Sequence, residues 1–424
     1  MNVHLRMIGC RLNQSEIDML ARQFEQQGHT IVDNPDDAHQ IIVNTCAVTQ
    51  DAVKAGRKLI NDLHRARPTA EVTVTGCHAQ IAPDEIAVLG GVKRVVSNVD
   101  KQHIVTHITG QAPQPFDIEP IERDKPLSMR TRAFVKVQDG CDNACTFCVT
   151  TVARGAGVSR TPDDLLNEIH YLASIGYQEV VLTGVHLGSY GHDLENPDGL
   201  KHLTQRILRE TSVPRLRLSS LEPWDLSEGF FSLWQDERLC PHLHLPLQSG
   251  CDTTLKRMRR NTNQADFSAL MREARQIPDV RITTDIIVGF PAETEEEFEE
   301  SEQFIREMAF DGLHVFRYSS RPNTPASRMR GQVPHDKRKE RSQRLIAYST
   351  AQEMRFAEAH TGKMLPVLWE NVSGATPEGF INVGYTHNYI RVQAVHPRVL
   401  TNFVTPAQLR TPQEGITWAV PVIE

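Results

Sequence analysis

Apolar and polar positions along the chain alternate between two rhythms. Short apolar runs of strand length give way to stretches in which apolar residues recur every three to four positions, as in an amphipathic helix. In the first part of the chain this predicts three strand-loop-helix units. A strand at 3–8 is followed by Gly9-Cys10 and a helix over 15–27, with Gly28 where a C-cap glycine belongs. A strand at 40–44 runs into Thr45-Cys46 and then a helix through Lys54, Lys58 and Leu63. A strand at 71–75 runs into Gly76-Cys77. Each cysteine therefore stands just past the carboxyl end of a predicted strand, the edge at which open parallel sheets bind ligands. Three thiols from distant parts of the chain are expected to converge. The bland alternative is three buried structural cysteines, and the threefold repetition of one position argues against it.

The stretch 109–127 is rich in Pro and Gln, lacks periodicity and reads as a linker. Beyond it, strands are predicted at 133–138, 178–182, 214–219, 242–245, 281–288 and 311–317. Helices are predicted between them at 162–175, 199–209, 226–235, 253–276 and 294–308. Six such units suggest a partial barrel of parallel strands with its site at the carboxyl face. Polar residues and glycines fall at those strand ends: Thr183-Gly184, Glu222, Gln248-Ser249-Gly250, Gly289 and Tyr318. After a helix at 338–360, short strands at 365–370, 380–383, 389–395, 402–405 and 418–423 predict a small β-barrel. The fold class expected is thus α/β: an amino-terminal parallel β/α domain (1–115), a central partial (β/α)6 barrel (127–357) and a carboxy-terminal β-barrel (358–424).

The strand at 133–138 ends in Asp139-Gly140 and opens on Cys141-Asp-Asn-Ala-Cys145-Thr-Phe-Cys148. Three thiolates in the spacing C-x3-C-x2-C suit a four-iron cluster and leave one iron without a protein ligand. A structural zinc site wants four ligands, usually in two pairs, and no fourth stands nearby. A disulfide needs an oxidising compartment. The start of the chain has no signal-peptide pattern, and no apolar run is long enough to span a bilayer. A cytoplasmic protein with no membrane contact is expected, in which clustered cysteines point to metal. Of the eight cysteines, Cys240 and Cys251 are read as non-ligands.

The formal net charge of −7 excludes a uniformly basic coat but allows local patches. Lys256, Arg257, Arg259 and Arg260 form one basic group; Arg317, Arg321, Arg328, Arg330, Lys337, Arg338, Lys339 and Arg341 form a looser one. Phosphate binding is favoured for Arg317, Arg321 and Arg328, which leave the last barrel strand; the stretch 337–344 reads equally well as a solvated helix face. The acidic run from Thr294 to Glu302 is a helix start with a Thr294/Glu297 capping box, not a metal site.

Lys136-Val-Gln-Asp-Gly-Cys141, Cys145, Cys148 and Ala153-Arg154-Gly155 resemble the methylthiotransferase branch of the radical S-adenosylmethionine (SAM) enzymes. The amino-terminal motifs Gly9-Cys10-Arg-Leu-Asn-Gln-Ser-Glu16, Asn44-Thr-Cys46-Ala-Val48 and Thr75-Gly-Cys77 are similar to that family's first domain. The resemblance covers nearly the whole chain. It implies two [4Fe-4S] clusters, one on Cys141, Cys145 and Cys148 and one on Cys10, Cys46 and Cys77. The open iron of the first would chelate SAM and split it to a 5′-deoxyadenosyl radical, while a second SAM would methylate sulfur on the other cluster. Thr183-Gly184 would approach the methionine part of SAM; Glu222, Asp285 and Gly289 would lie around its nucleoside. The carboxy-terminal barrel resembles the RNA-binding TRAM module by placement, and Tyr385, His387 and Tyr389 either stack on bases or are simply a hairpin's side chains. Leu182-Thr-Gly-Val-His-Leu-Gly-Ser-Tyr-Gly191, His244-Leu-Pro-Leu-Gln-Ser-Gly250 and His314-Val-Phe-Arg-Tyr318 resemble the subgroup that acts on carbon 2 of N6-threonylcarbamoyladenosine at position 37, in the anticodon stem-loop of tRNA. One departure from the family is Val149-Thr-Thr-Val152, where a proline-containing stretch is common; no ligand is lost. Isopentenyladenosine tRNA and a ribosomal protein aspartate remain alternative substrates, and a non-catalytic iron–sulfur RNA-binding protein an alternative class. The electron and sulfur donors are not named by the sequence.

Overall fold

The computed structural model describes residues 1–113 and 131–423. The first unit is a five-stranded parallel sheet in the order β2 (Thr30–Ile31), β1 (Asn2–Met7), β3 (Gln40–Thr45), β4 (Glu71–Gly76) and β5 (Val92–Val95). All residues of the central strand β3 are buried, as expected where helices cover both faces of a parallel sheet. The first helix, Arg11–Gln26, starts directly after Cys10 rather than at residue 15, so Cys10 is its N-cap. The edge strands β2 and β5 are additions to the three units expected. Most of the predicted linker, 114–127, lies outside the described residues; just before it, helix Ile104–Thr109 ends at Gly110 with φ 76°.

The central unit runs β6 (Arg132–Asp139), β7 (Val158–Ser159), β8 (Glu179–Gly184), β9 (Arg215–Leu218), β10 (His242–His244), β11 (Arg281–Val288) and β12 (Gly312–Arg317). β7 is a short antiparallel partner of β6. The others are parallel: β6-β8-β9 in one sheet and β10-β11-β12 in another. Parallel bridges Leu216–Leu239 and Ser220–His244 carry one sheet on to the next. The result is the open arc of six parallel strands that the periodicity predicts. Its core joins Val135, Leu182, Leu216, Leu243 and Ile282 from the strands to Leu345 from helix His335–Glu358.

Two helix expectations are corrected. Residues 226–235 hold only a 3-10 turn, Phe230–Gln235, because Gly229 in the left-handed region (φ 70°) interrupts the stretch; Phe230, Phe231 and Trp234 pack on one another there. Residues 253–276 form two helices, Asp252–Met258 and Gln264–Ala274, separated at Arg259, which sits in the left-handed region (φ 55°). The capping box is present: Thr294 Oγ1 accepts from Glu297 N at 3.2 Å, and Glu297 Oε2 accepts from Thr294 N at 3.2 Å.

The last unit is a closed five-stranded barrel of β13 (Met364–Thr376), β14 (Gly379–Thr386), β15 (Arg391–His396), β16 (Val404–Leu409) and β17 (Thr417–Pro421). Trp369 fills it, fully buried, with its indole N–H on Thr405 Oγ1 at 2.9 Å. The β14–β15 hairpin reaches out of this barrel into the central one. At its tip Tyr389, at φ 70°, stacks on His242 and Tyr385 and accepts from Arg132 Nη1 at 2.8 Å through its hydroxyl. Tyr385 and Tyr389 thus pack on each other, and Tyr389 packs on the central unit. Among the described residues, no helix is long and apolar enough to cross a membrane.

Candidate functional site: two cysteine trios around one cavity

The strand ends of the first sheet bring Cys10, Cys46 and Cys77 together. Gly9 makes this possible: at φ 128°, a Cβ there would stand 2.8 Å from Cys46 Cβ and 3.2 Å from its sulfur. Asn13 ties two strand ends together, donating to Ile8 O at 2.8 Å and Thr45 O at 3.2 Å. Cys46 and Cys77 are buried, and Cys10 is exposed. Burial pushes the Cys46 thiol up to about 11; the other two thiols add to this, and Arg154 opposes it. Metal ligation has to displace that proton.

Glu16, on the helix behind Cys10, is buried among cations. It meets Lys101 at 2.7 Å, Arg154 at 2.9 Å and Lys136 at 3.2 Å. Arg154 also meets Asp139 at 2.8 Å and donates to Asn13 Oδ1 at 2.9 Å. The Ala153-Arg154-Gly155 stretch thereby fastens the first unit to the loop after β6.

That loop carries the second trio. Cys141 N donates to Gly155 O at 3.0 Å, Thr146 N to Met258 O at 3.0 Å, and Ala326 N to Thr146 O at 2.9 Å. Two cationic pairs flank its sulfurs. Arg260 Nη1 lies 3.7 Å from Cys145 Sγ, is held by Glu222 Oε1 at 3.2 Å, and stacks on Trp224. His186 pairs with Asp225 and bonds to Cys141. Burial opposes the imidazolium, but these two partners outweigh it and raise the His186 pKa to about 10. Burial pushes Cys145 up to about 11 and Cys148 up as well. Two sets of three soft donors, each beside fixed cations, fit clusters that keep one iron open; four-ligand zinc fits neither.

A cavity of about 610 Å³ lies between the units, with Cys10 and Arg11 on one wall, Thr183, Gly184 and Asp285 on another, and Tyr389 on a third. A smaller one of about 180 Å³ runs alongside Cys148 and Gln248, and Asp285 and Phe316 line both. Asp285 belongs to a cluster with His244 and His314 on three neighbouring strands; His244 Nε2 is 3.2 Å from Asp285 Oδ1. Burial pushes the Asp285 carboxyl up, but His244, His314 and Arg260 hold it below the usual carboxylate range. Gln248 is in the left-handed region at φ 74°, a strained conformation of the kind found at ligand sites.

The predicted residues do not all gather here. Thr183, Gly184 and Asp285 line the larger cavity. Glu222 lines neither cavity and holds Arg260 instead. Gly289 lies under the Arg338 side chain, its N–H on Glu293 Oε2 at 2.6 Å, away from both. Arg317 and Arg328 are exposed, whereas Arg321 is buried and faces Cys46, so it is not available to a phosphate at the surface. Arg257 pairs with Glu297 and Arg260 is buried, which leaves only Lys256 and Arg259 of the first basic group exposed. Arg341 is buried on Glu293 and Glu295. Sequence reasoning missed Asp225 and the thiol-facing roles of His186, Arg260 and Arg321. A histidine two residues beyond the β8 end was the one available signal.

Profiles of two families match the chain: Uncharacterized protein family UPF0004 over residues 2–97 and the Radical SAM superfamily over residues 135–305. The Threonylcarbamoyladenosine tRNA methylthiotransferase MtaB of Bacillus subtilis (strain 168) is 36% identical, over 92% of this chain and 89% of its own. That of Thermotoga maritima is 37% identical, over 94% and 92%. A tRNA-2-methylthio-N(6)-dimethylallyladenosine synthase of Acetivibrio thermocellus is 32% identical, over 87% and 80%. Among solved structures, the radical S-adenosylmethionine methyltransferase TsrM of Kitasatospora setae shares the fold, with TM-score 0.58 and 16% identity over 77% of this chain and 75% of that one. With matches of this extent at both cysteine-bearing units, the chain belongs to the radical SAM tRNA methylthiotransferase family.

Proposed function

We propose that the protein adds a methylthio group to carbon 2 of N6-threonylcarbamoyladenosine at position 37 of tRNA. The observation that carries this reading is the larger cavity, where Cys10 of the first trio faces the strand ends of the barrel and the walls are rich in cations. Arg11, Arg281 and Arg391 line it together with His242, His244 and His314. A threonylcarbamoyl group carries a carboxylate and a hydroxyl, which such walls satisfy. A dimethylallyl group offers these walls no hydrogen-bond acceptor. Relatives of both kinds align with the chain at similar identity, so the reading rests on the lining.

The family's cofactors are two [4Fe-4S] clusters and SAM. Cys141, Cys145 and Cys148 would hold one cluster, and Cys10, Cys46 and Cys77 the other. When bound, these groups supply a carbon radical able to take the unactivated hydrogen from adenine carbon 2, and the sulfur that replaces it. The protein's own groups do the positioning. Arg260 and His186 stabilise the thiolates of Cys145 and Cys141. Thr183 and Gly184 let SAM approach β8 closely, and Asp285 orients its nucleoside. Glu222 acts through Arg260. Arg317 and Arg328 would meet phosphates of the anticodon stem-loop, with the TRAM-like barrel closing the cavity from the other side. The protein would work in the cytoplasm with separate electron and sulfur donors. Its domains would divide at 1–115, 127–357 and 358–424.

Nucleoside analysis of tRNA from cells lacking the protein tests the reading. Methylthio-threonylcarbamoyladenosine should vanish, its unmethylthiolated precursor should accumulate, and methylthio-isopentenyladenosine should be unchanged. Loss of the isopentenyl derivative instead would overturn it.

A further inference from the structure

Arg321 follows β12, in the loop leading to the 3-10 turn Pro325–Arg328. Its side chain leaves the barrel and is buried, with 6% of the residue exposed. Its Nε and Nη1 are both buried without a hydrogen-bond partner. The protein's other buried guanidiniums near the site have carboxylates: Arg154 has Glu16 and Asp139, Arg217 has Glu179, and Arg260 has Glu222. The ionisable group that its guanidinium faces is Cys46. A buried cation with unpaired donors is strongly destabilising unless an anion completes it. Three thiolates around a four-iron core are such an anion, and sulfur accepts hydrogen bonds that raise a cluster's potential.

The loop bearing Arg321 also touches the amino-terminal unit. Gln50 N donates to Ser319 Oγ at 3.4 Å, and Val48 and Thr49 share the smaller cavity with Tyr318 and Ser319. Thr324 folds the loop back, its hydroxyl on Arg321 O at 2.8 Å.

We propose that Arg321 is the counter-cation of the cluster on Cys10, Cys46 and Cys77, a positioning residue lent by the barrel, so that loading this cluster fastens the 319–324 loop to the amino-terminal unit. The inference rests on this trio holding a cluster, and not on which adenosine is modified. Arg321 sets the potential of this cluster on the first trio, the second of the protein's two clusters, and makes the seam between the units depend on its presence.

The test uses the full chain, with and without reconstituted clusters, as wild type, Arg321→Met and Arg321→Lys. In cluster-free protein Arg321→Met should unfold at the wild-type temperature or above, because an uncompensated buried charge has been removed. In loaded protein the order should reverse. An electron paramagnetic resonance titration should place the second cluster's midpoint at a more negative potential in Arg321→Met, with Arg321→Lys between, and leave the Cys141/Cys145/Cys148 cluster unshifted. Loss of only the second cluster from Arg321→Met, with the cluster-free stability as stated, would support the same role. Equal destabilisation of the free and loaded forms, or an unshifted second cluster at full iron content, would overturn it. So would a wild type with no cluster on the first trio. Because none of these readouts depends on nucleoside identity, a different tRNA substrate would leave the inference standing.

Discussion

Replacing Glu16 with Gln should destabilise the amino-terminal unit where it meets the barrel. The carboxylate is 2% exposed, and three cations from separate parts of the chain meet on it: Lys101, Lys136 and Arg154. Lys136 and Arg154 keep Asp139 in the variant, at 2.9 and 2.8 Å. Lys101, with its side chain 6% exposed, keeps no carboxylate partner among the described residues. Removing one member of a buried pair costs about 3–5 kcal/mol through the charge left behind. Gln can still accept from Asn44 Nδ2, now 2.8 Å from Glu16 Oε2, so the lower figure applies. At 1.36 kcal/mol per tenfold, about 3 kcal/mol is roughly a 150-fold change in the folding equilibrium of the amino-terminal unit. Hydrogen exchange in helix Arg11–Gln26 of the cluster-free protein reads it directly, with a urea titration alongside. Adding Lys101→Met should restore most of the loss, because the orphaned charge goes too. pH provides a second check. Burial alone would push Glu16 up, but Arg154, Lys136 and Lys101 hold it well below its usual value of 4.5. A depressed folded pKa gives stability that is complete above the unfolded value and lost as pH falls through the folded one. Wild type should therefore shed this protection below about pH 4.5, and Glu16→Gln should lack that part of the slope. Unchanged exchange in Glu16→Gln, or no recovery with Lys101→Met, would refute the reasoning.

Changing Cys10, Cys46 and Cys77 together to Ala should lower iron from about eight to about four per chain. Such a variant should still form 5′-deoxyadenosine while making no methylthio-nucleoside, and wild-type product from a folded variant would refute the division of labour. Arg317→Ala with Arg328→Ala should weaken tRNA binding and reduce the slope of log K against log salt by about 0.7–0.9 for each phosphate left without its arginine. A fluorescence titration over a range of salt measures it. Cluster assembly should speed up steadily as pH rises from about 7 to 9, because Cys46 and Cys145, both at about 11, are protonated there and each unit of pH multiplies their thiolate about tenfold. A flat rate by visible absorbance would mean that thiol ionisation does not limit loading.

The strand–helix alternation was legible because each parallel strand is an apolar run broken by turn residues, a local property. Both cysteine trios were legible for a similar reason: spacing marks one, and a repeated strand-end position marks the other. What escaped notice depends on partners far apart in sequence. Arg154 and Glu16 are 138 residues apart, and Arg260 and Glu222 are 38 apart. In one dimension a guanidinium reads as surface charge, so Arg260 and Arg321 were grouped with residues meant for phosphate. The break at Arg259 escaped because helical periodicity persists on both sides of a single left-handed residue. Thr30–Ile31 is simply too short to show a period.

The hairpin that carries Tyr389 has a consequence for how such an enzyme diverges. Tyr389 reaches the cavity that Cys10 and Asp285 share, and Arg215, Arg281 and Asp279 bond to backbone or side-chain atoms of the same hairpin. The carboxy-terminal barrel is therefore not a detachable handle for RNA. Grafting a relative's barrel onto residues 1–357 would also import a piece of the pocket wall, and with it part of that relative's choice of adenosine. Barrel and pocket are inherited as one piece: a chimera joined at this boundary would inherit its taste from both parents.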